Sequence, residues 1–184
     1  MHHLPTLTTE RLILRPLELS DSEAIQNLFP HWEIVKFLTT AVPWPYPPDG
    51  AFSFIRDRAL PDMEQKRAWH WSLRPKANPD TLIGVASLRD SPEDNRGFWI
   101  AQEWQRQGLM TEASDEIARY WFEVLQRPTL RIPKAAVNAG SRRISEKAGM
   151  RVIRSEERNY VSGRYLTEIW EITAEEWRAL TPAR

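Results

Sequence analysis

The segment from Arg96 to Gln126 constrains the fold more than any other part of the chain, because a strand there leads through a short loop into the longest helix. The apolar residues that recur at three- and four-residue spacing in this helix are Met110, Ala113, Ile117, Trp121 and Val124. This spacing predicts one buried stripe on a helix over residues 108–126. The order of strand, loop and helix indicates an α/β (α+β) chain whose long helix packs on a sheet.

Alternating apolar residues and turn signals predict the remaining elements. The predicted strands cover residues 11–16, 67–73, 82–88, 96–101, 130–137, 152–157 and 165–173. Helices are predicted over 49–65 and 141–147, and capping-box spacing predicts helix starts at Ser20–Glu23 and Thr173–Glu176. No internal repeat or low-complexity linker divides the sequence, so a single domain over residues 1–184 is expected.

Composition excludes several classes of function. Lys plus Arg and Asp plus Glu each number 25, which removes the basic excess typical of proteins that bind nucleic acid. The chain contains no cysteine, and its four histidines, His2, His3, His31 and His70, are too scattered for a helical zinc motif, so no metal is expected. No window approaches the ~18 apolar residues of a membrane span, which favours a soluble cytoplasmic protein that does not contact a membrane.

The loop before the long helix has the chemistry of an anion site. Backbone N–H groups at a helix N-terminus lack intrahelical acceptors, and the helix dipole adds partial positive charge. Gly108 would let the backbone approach a phosphate group without an intervening side chain. The alternative is that Gly108 simply begins the helix.

The same loop resembles the acetyl-CoA signature of the GNAT acetyltransferase family, Gln/Arg-x-x-Gly-x-Gly/Ala. Here it runs Gln105-Arg-Gln-Gly-Leu-Met110, with a methionine where a small residue is usual. The longer string Trp104–Ala113 and the N-terminal string Leu7–Pro16 resemble the RimJ/RimL branch. The resemblance implies a mixed, mostly antiparallel, twisted sheet of six to seven strands with helices on both faces. It also implies a splay between two central parallel strands, about 97–101 and 130–137.

The resemblance implies acetyl-CoA as cosubstrate. Its pyrophosphate would be held by the backbone amides of Arg106, Gln107, Gly108, Leu109, Met110 and Thr111. A backbone N–H freed by the splay, near Ile100 or Ala101, would stabilise the oxyanion that forms when an amine attacks the thioester.

A second segment, Asn138–Met150, supplies polar side chains on one helical face. Ser141 and Ser145 follow Asn138 at offsets of three and seven. The Asn138 amide could bind the pantetheine arm and a hydroxyl could reach the sulfur, or Asn138 could cap the helix while the serines fill its surface. The resemblance implies that Ser141 is the acid that protonates the departing thiolate. Ser145 occupies the position where many family members have a tyrosine.

The general base and the acceptor pocket are less defined. Asn95 stands where relatives often have a glutamate, which leaves Glu93, Asp94 and His70 as candidates. A base is unnecessary if the amine has a low pKa and water relays the proton. For His70 a structural role is favoured over a catalytic one. Trp44 and Tyr46, in the proline-rich loop 43–48, either line the acceptor pocket or pack against the first helices.

The sequence therefore predicts an N-acetyltransferase that acetylates a primary amine, either a peptide or protein N-terminal α-amine or a small-molecule amine. One alternative is a non-catalytic acyl-CoA-binding module on the same fold. Another is an unrelated nucleotide-binding α/β domain, which fits poorly because neither G-x-G-x-x-G nor G-x-x-x-x-G-K-[ST] occurs. The sequence leaves open whether the protein is a monomer or a homodimer.

Overall fold

The computed structural model describes residues 4–181, so His2 and His3 lie outside the described residues. The strands are β1 Leu7–Thr8, β2 Leu12–Pro16, β3 Ala68–Pro75, β4 Gly84–Arg89, β5 Arg96–Ile100, β6 Thr129–Ala135, β7 Arg151–Tyr160 and β8 Gly163–Thr173. The helices are α1 Ser22–Leu28, α2 Trp32–Val35, α3 Gly50–Phe54, α4 Leu60–Glu64, α5 Leu109–Arg119, α6 Ala139–Lys147 and α7 Ala174–Leu180. All seven predicted strands are confirmed, and the two-residue β1 is an eighth.

The strands form two antiparallel ladders, β1-β2-β3-β4-β5 and β6-β8-β7. The two ladders meet where β5 and β6 begin. The Asn95 backbone N–H donates to the Arg131 carbonyl at 2.8 Å, and the Arg131 N–H donates to Asn95 Oδ1 at 2.8 Å. Both strands run away from this junction, so they are parallel and separate towards their carboxyl ends. The mixed α/β fold with a splay between two central strands is confirmed.

Apolar clusters lie on both faces of the sheets. One cluster packs α5 onto β2, β3 and β4, and its fully buried members include Leu14, Trp71, Leu73, Leu88 and Ile117. The other packs α1, α2, α3 and the turn after α3 onto the opposite face through Ile25, Val35, Ala51 and Ile55. Burying each such side chain contributes roughly 1.5–3 kcal/mol to folding. Helices on both faces therefore fix the positions of β5 and of the loop that follows it.

The predicted stripe of the long helix is correct except at its end. Ile117 and Trp121 are buried, but Val124 is 55% exposed. After Arg119 the helix continues as a wider π-helical turn, Tyr120–Val124. This wider turn rotates the later side chains, and Phe122 rather than Val124 faces the core.

The capping box at Thr173 is confirmed, while the one at Ser20 is wrong. Thr173 and Glu176 exchange side-chain-to-backbone hydrogen bonds of 2.8 and 3.2 Å. Near α1, by contrast, the Glu18 N–H donates to the Asp21 carboxylate at 3.0 Å. Asp21 is buried and also accepts from Arg74 Nη2 at 2.5 Å, an ion pair that fixes it at the helix entrance. Within residues 4–181, no helix is both long and apolar enough to cross a membrane.

Candidate active site

A cleft of about 960 Å³ opens where β5 and β6 separate. Its walls come from those two strands, the start of α5, the start of α6 and the segment 33–39. Of the residues predicted to act, the cleft is lined by Ile100, Arg106, Gly108, Leu109, Met110, Thr111, Asn138 and Ser141. The residues from the two sequence segments therefore meet at one site.

The loop before α5 presents backbone amides to the cleft. Gly108 caps the helix in the left-handed region, at φ 77°, and Arg106 is also left-handed, at φ 61°. The first intrahelical bond runs from the Glu112 N–H to the Gly108 carbonyl at 3.1 Å. The amides of the three residues between them lie in the first turn, where an α-helix supplies no acceptor. Gln107 is not among the residues that line the cleft, and its carbonyl accepts from Arg11 Nη1 at 2.9 Å.

The N-terminal strands hold this loop in place. The Glu112 carboxylate accepts from the Arg11 backbone N–H at 2.7 Å, from Arg11 Nε at 2.7 Å and from the Thr9 hydroxyl. Burial raises the pKa of Glu112, but these hydrogen bonds outweigh it and hold that pKa below its usual value. The string Leu7–Pro16 resembles the RimJ/RimL branch, but the sequence did not predict its contact with α5.

The backbone of β5 directs amides into the splay. The Ala101 N–H is already used, because it donates to the Ile83 carbonyl at 2.8 Å. In an antiparallel pair, alternate residues turn their N–H groups to the same neighbour. The register Gly84↔Ile100 and Ala86↔Phe98 therefore turns the amides of Ile100 and Phe98 away from β4 and towards β6. Phe98 was not among the predicted residues.

Asn138 and Ser141 form the opposite wall at the start of α6. The Asn138 side chain caps this helix by accepting from the Ser141 N–H at 3.2 Å, which is the structural role that the sequence left open for it. The Ser141 hydroxyl accepts from Lys134 Nζ at 2.5 Å. Ser145 is fully buried, and its hydroxyl has no hydrogen-bond partner among the described residues.

Lys134 is a residue of the cleft that the sequence analysis missed. Only 4% of it is exposed, and its ammonium lies 5.4 Å from the centre of the Phe98 ring. Burial, and after it the charge of Arg96, lowers the pKa of Lys134 well below its usual value, although Asp94 opposes the shift. The alternation of β6 could have predicted that Lys134 is buried, because Lys134 shares a strand face with Leu130 and Ile132, which are both buried.

Glu93 and Asp94, two of the candidate bases, and Asn95 beside them are all hydrogen-bonded or paired with other residues. Asn95 joins the two sheets, and its side-chain amide also donates to the Arg89 carbonyl at 3.2 Å. Glu93 pairs with Arg154 at 2.6 Å and lies outside the cleft. Asp94 lines the cleft but accepts from Arg89 Nη2 at 2.8 Å.

Trp44, Tyr46 and His70 are not among the residues that line the cleft. Trp44 packs on Trp32 with ring centres 5.8 Å apart, and Tyr46 meets Phe29 edge-on at 5.1 Å. These are contacts with the first helices. The cleft is closed on that side by segment 33–39, whose Leu38 carbonyl accepts from the Val161 N–H at 3.0 Å.

His70 is buried and has a structural partner. Its Nδ1 lies 2.7 Å from the Ser87 hydroxyl. Burial above all, helped by the charge of Arg89 and opposed by Asp62, lowers the pKa of His70 to about 4 from 6.5. The unfolded chain therefore takes up a proton at a higher pH than the folded chain does.

We expect this histidine to make the protein less stable in acid. The free energy of unfolding has the full contribution of His70 above pH 6.5. About 3 kcal/mol of that free energy is lost as the pH falls from 6.5 towards 4. Urea unfolding between pH 7 and pH 4 should show that loss in the parent and a correspondingly flatter profile in His70→Gln. His31→Gln, at an exposed histidine, is the control and should keep the parent profile. If the stability of His70→Gln depended on pH as that of the parent does, His70 would not be the cause of the loss of stability in acid.

Comparison with known proteins relates this architecture to one family. Residues 11–151 match the family model described as an acetyltransferase (GNAT) domain. Among curated proteins, "Putative ribosomal N-acetyltransferase YdaF" of Bacillus subtilis (strain 168) is 28% identical over 148 residues, which are 76% of this chain and 78% of that protein.

Solved structures resemble the chain over almost its whole length. The ribosomal-protein-S5-alanine acetyltransferase from Vibrio fischeri superposes with a TM-score of 0.80 at 14% identity, covering 95% of this chain and 100% of that one. Mycobacterium smegmatis RimJ in complex with CoA-disulfide has a TM-score of 0.79 at 15% identity, with 94% and 88% covered. At such identities the likeness is one of fold.

Proposed function

Because the chain belongs to the GNAT acetyltransferase family, we propose that it transfers the acetyl group of acetyl-CoA to the α-amine of a peptide or protein N-terminus. One observation carries the proposal. An amide-rich helix N-terminus, two strand amides that face the splay and the Ser141 hydroxyl all line the same cleft.

The residues present fit a CoA thioester. Gly108 leaves open the space that a side chain would fill, and the amides of the first turn of α5 point towards an anion at its N-terminus. The Ile100 and Phe98 amides lie along the splay, where they can pair with the amide groups of a pantetheine arm. Acetyl-CoA would supply an activated acetyl thioester to this cleft.

The residues near the reacting atoms have separate roles in the proposal. A strand amide, from Ile100 or Phe98, donates to the carbonyl oxygen as negative charge develops on it. Ser141 provides a proton to the departing sulfur. Asn138 holds Ser141 in position by capping α6, since its side chain binds the Ser141 backbone N–H at 3.2 Å.

The choice of an α-amine follows from the charges around the cleft. The carboxylates of Glu93 and Asp94 are paired with arginines, so neither is free to deprotonate a strongly basic ammonium. The Bacillus subtilis relative is named a putative ribosomal N-acetyltransferase and the Vibrio fischeri structure a ribosomal-protein-S5-alanine acetyltransferase, and ribosomal proteins have N-terminal amines. An acceptor among such proteins would place the enzyme in the cytoplasm.

The competing interpretation is a non-catalytic acyl-CoA-binding protein, which Asn95 and Ser145 favour because both replace residues that relatives use. Incubation with acetyl-CoA and a panel of free-N-terminus peptides and small amines separates the two. Acetylated product from any acceptor, above a heat-inactivated control, supports the enzyme. CoA binding without product across the panel would support the binding module.

We expect Gly108→Val to weaken CoA binding at least tenfold, which is about 1.4 kcal/mol. Valine is strained at φ 77°, and its Cβ would lie 3.4 Å from the Arg11 guanidinium beside the loop. Isothermal calorimetry measures the change. Gly163→Val is the matched control: this glycine also has a positive φ, but it lies at the tip of the β7–β8 hairpin with nothing near its Cβ. Parent affinity in Gly108→Val, with the fold intact, would rule out the loop as the phosphate site.

A further inference from the structure

Lys134, which is buried, binds Ser141 inside the cleft, and the proposed function gives Lys134 no role. Lys134 Nζ donates to Ser141 Oγ at 2.5 Å. We propose that Lys134 is the proton carrier that serves Ser141, accepting the proton that the acceptor nitrogen loses and returning one through the serine to sulfur. This inference rests on the proposed function, because it takes Ser141 as the acid.

The surroundings of Lys134 favour an uncharged amine. The side chain projects from β6 and is almost wholly buried, and the contact that favours its charged form is with the Phe98 ring of β5, whose centre lies 5.4 Å from the nitrogen. Among the residues that the structure describes, no carboxylate lies within salt-bridge distance of its nitrogen. An unpaired ammonium in such a place is costly, and lysine responds by releasing its proton.

The charged groups on the neighbouring elements act on Lys134 in opposite directions. Beyond burial, the positive charge of Arg96, on β5, lowers the pKa of Lys134, whereas Asp94 raises it, and Asp115 of α5 offsets part of the Arg96 charge. Asp94, before β5, is bound to Arg89. On β8 the register partner of Lys134 is Glu168, whose carboxylate binds Arg142 Nε at 2.9 Å and the Trp170 indole at 3.1 Å. Asp94 and Glu168 are therefore both already paired with arginines.

The proposed proton path balances. The nitrogen lone pair of the acceptor forms the new C–N bond, and the nitrogen then gives a proton to the neutral Lys134 amine. The electron pair of the broken C–S bond stays on sulfur, which takes the Ser141 hydroxyl proton. Lys134 restores that proton to Ser141 Oγ along their hydrogen bond. The enzyme ends in its starting state, and no reactant beyond the amine and the thioester is needed.

The first test measures the titration of Lys134 without any ligand. The chain has five lysines, Lys36, Lys66, Lys76, Lys134 and Lys147, so ¹³C labelling at lysine Cε gives few NMR signals. The signal that Lys134→Met removes belongs to Lys134. It should titrate at a lower pH than the other four, and Arg96→Gln should move it upwards by removing the neighbouring positive charge. Titration together with the other four signals would overturn the proposal.

The second test separates proton transfer from packing and from positive charge. Lys134→Met keeps most of the apolar stem and should lower kcat by about 10²-fold or more, with the KM for acetyl-CoA nearly unchanged. Lys134→Arg should be as slow, because a guanidinium does not release its proton. Parent kcat in Lys134→Arg would show that charge alone suffices and would overturn the proposal, as would parent kcat in Lys134→Met.

The Ser141→Ala variant separates a failure of this inference from a failure of the proposed function. If residues 134 and 141 share one path, the double variant Lys134→Met/Ser141→Ala is no slower than the slower single variant. If Ser141→Ala retains the parent kcat, Ser141 is not the acid, and the proton path through Ser141 is refuted as well. The proposal that the protein is an acetyltransferase is not affected by that result. If Ser141→Ala is slow but Lys134→Met is not, only the inference about Lys134 fails.

Discussion

Ser141→Ala is expected to lower kcat by about 10²- to 10⁴-fold, the usual contribution of a positioned proton donor, while CoA binding changes little. The hydroxyl lies in the cleft and its removal leaves α6 capped, because Asn138 binds the Ser141 backbone N–H and not its side chain. The effect should therefore appear in the chemical step. Single-turnover acetylation of a peptide, with CoA affinity measured by calorimetry, gives the two quantities separately.

Ser145→Ala is the matched control from the same face of α6. Ser145 is fully buried and absent from the cleft wall, so we expect its removal to leave turnover near the parent value. Equal single-turnover rates for Ser141→Ala and the parent would remove Ser141 from the mechanism. Loss of turnover in Ser145→Ala alone would show that the other serine is the acid.

The sequence predicted the parts of the fold that depend on local periodicity. All seven strands and the buried stripe of α5 followed from spacing, and the segments around Gly108 and Asn138 lie on the same cleft. The π-helical turn after Arg119 was not predictable, because it depends on how Phe122 packs against distant residues such as Trp177. The spacing of apolar residues describes a regular helix and does not predict where the helical pitch changes.

The side-chain environment of the site was harder to predict than its location. Lys134 was not among the predicted site residues, because only the assembled fold shows its nitrogen enclosed between Ser141 and Phe98. The contact of Arg11 with Glu112 joins residues about a hundred positions apart, which no local pattern reveals. The aromatic loop at Trp44 was chemically suited to an acceptor pocket but lies against α2.

Peptides with a free α-amine are expected to be acetylated far better than lysine side chains. An α-amine has a reference pKa of ~7.7–8.0 and a lysine ε-amine one of ~10.4, so near neutral pH the neutral fraction differs by roughly 300-fold. The cleft offers little to offset that difference, because Asp94 is paired with Arg89 and Glu93 with Arg154. Lys134, in its proposed role, receives only the proton lost as the new bond forms, so the acceptor must arrive already neutral.

The measurement is kcat/KM for two peptides of one sequence, the first with a free N-terminus and no lysine, the second N-terminally blocked and containing one lysine. We expect the first to be favoured by about two orders of magnitude, and the gap to narrow as the pH rises from 7 towards 10, since the lysine then loses its proton. A preference for the blocked lysine peptide would mean that the enzyme deprotonates the ammonium itself. Asp94→Asn and Glu93→Gln would then identify the carboxylate responsible, because Asp94 lines the cleft and Glu93 adjoins it in the chain.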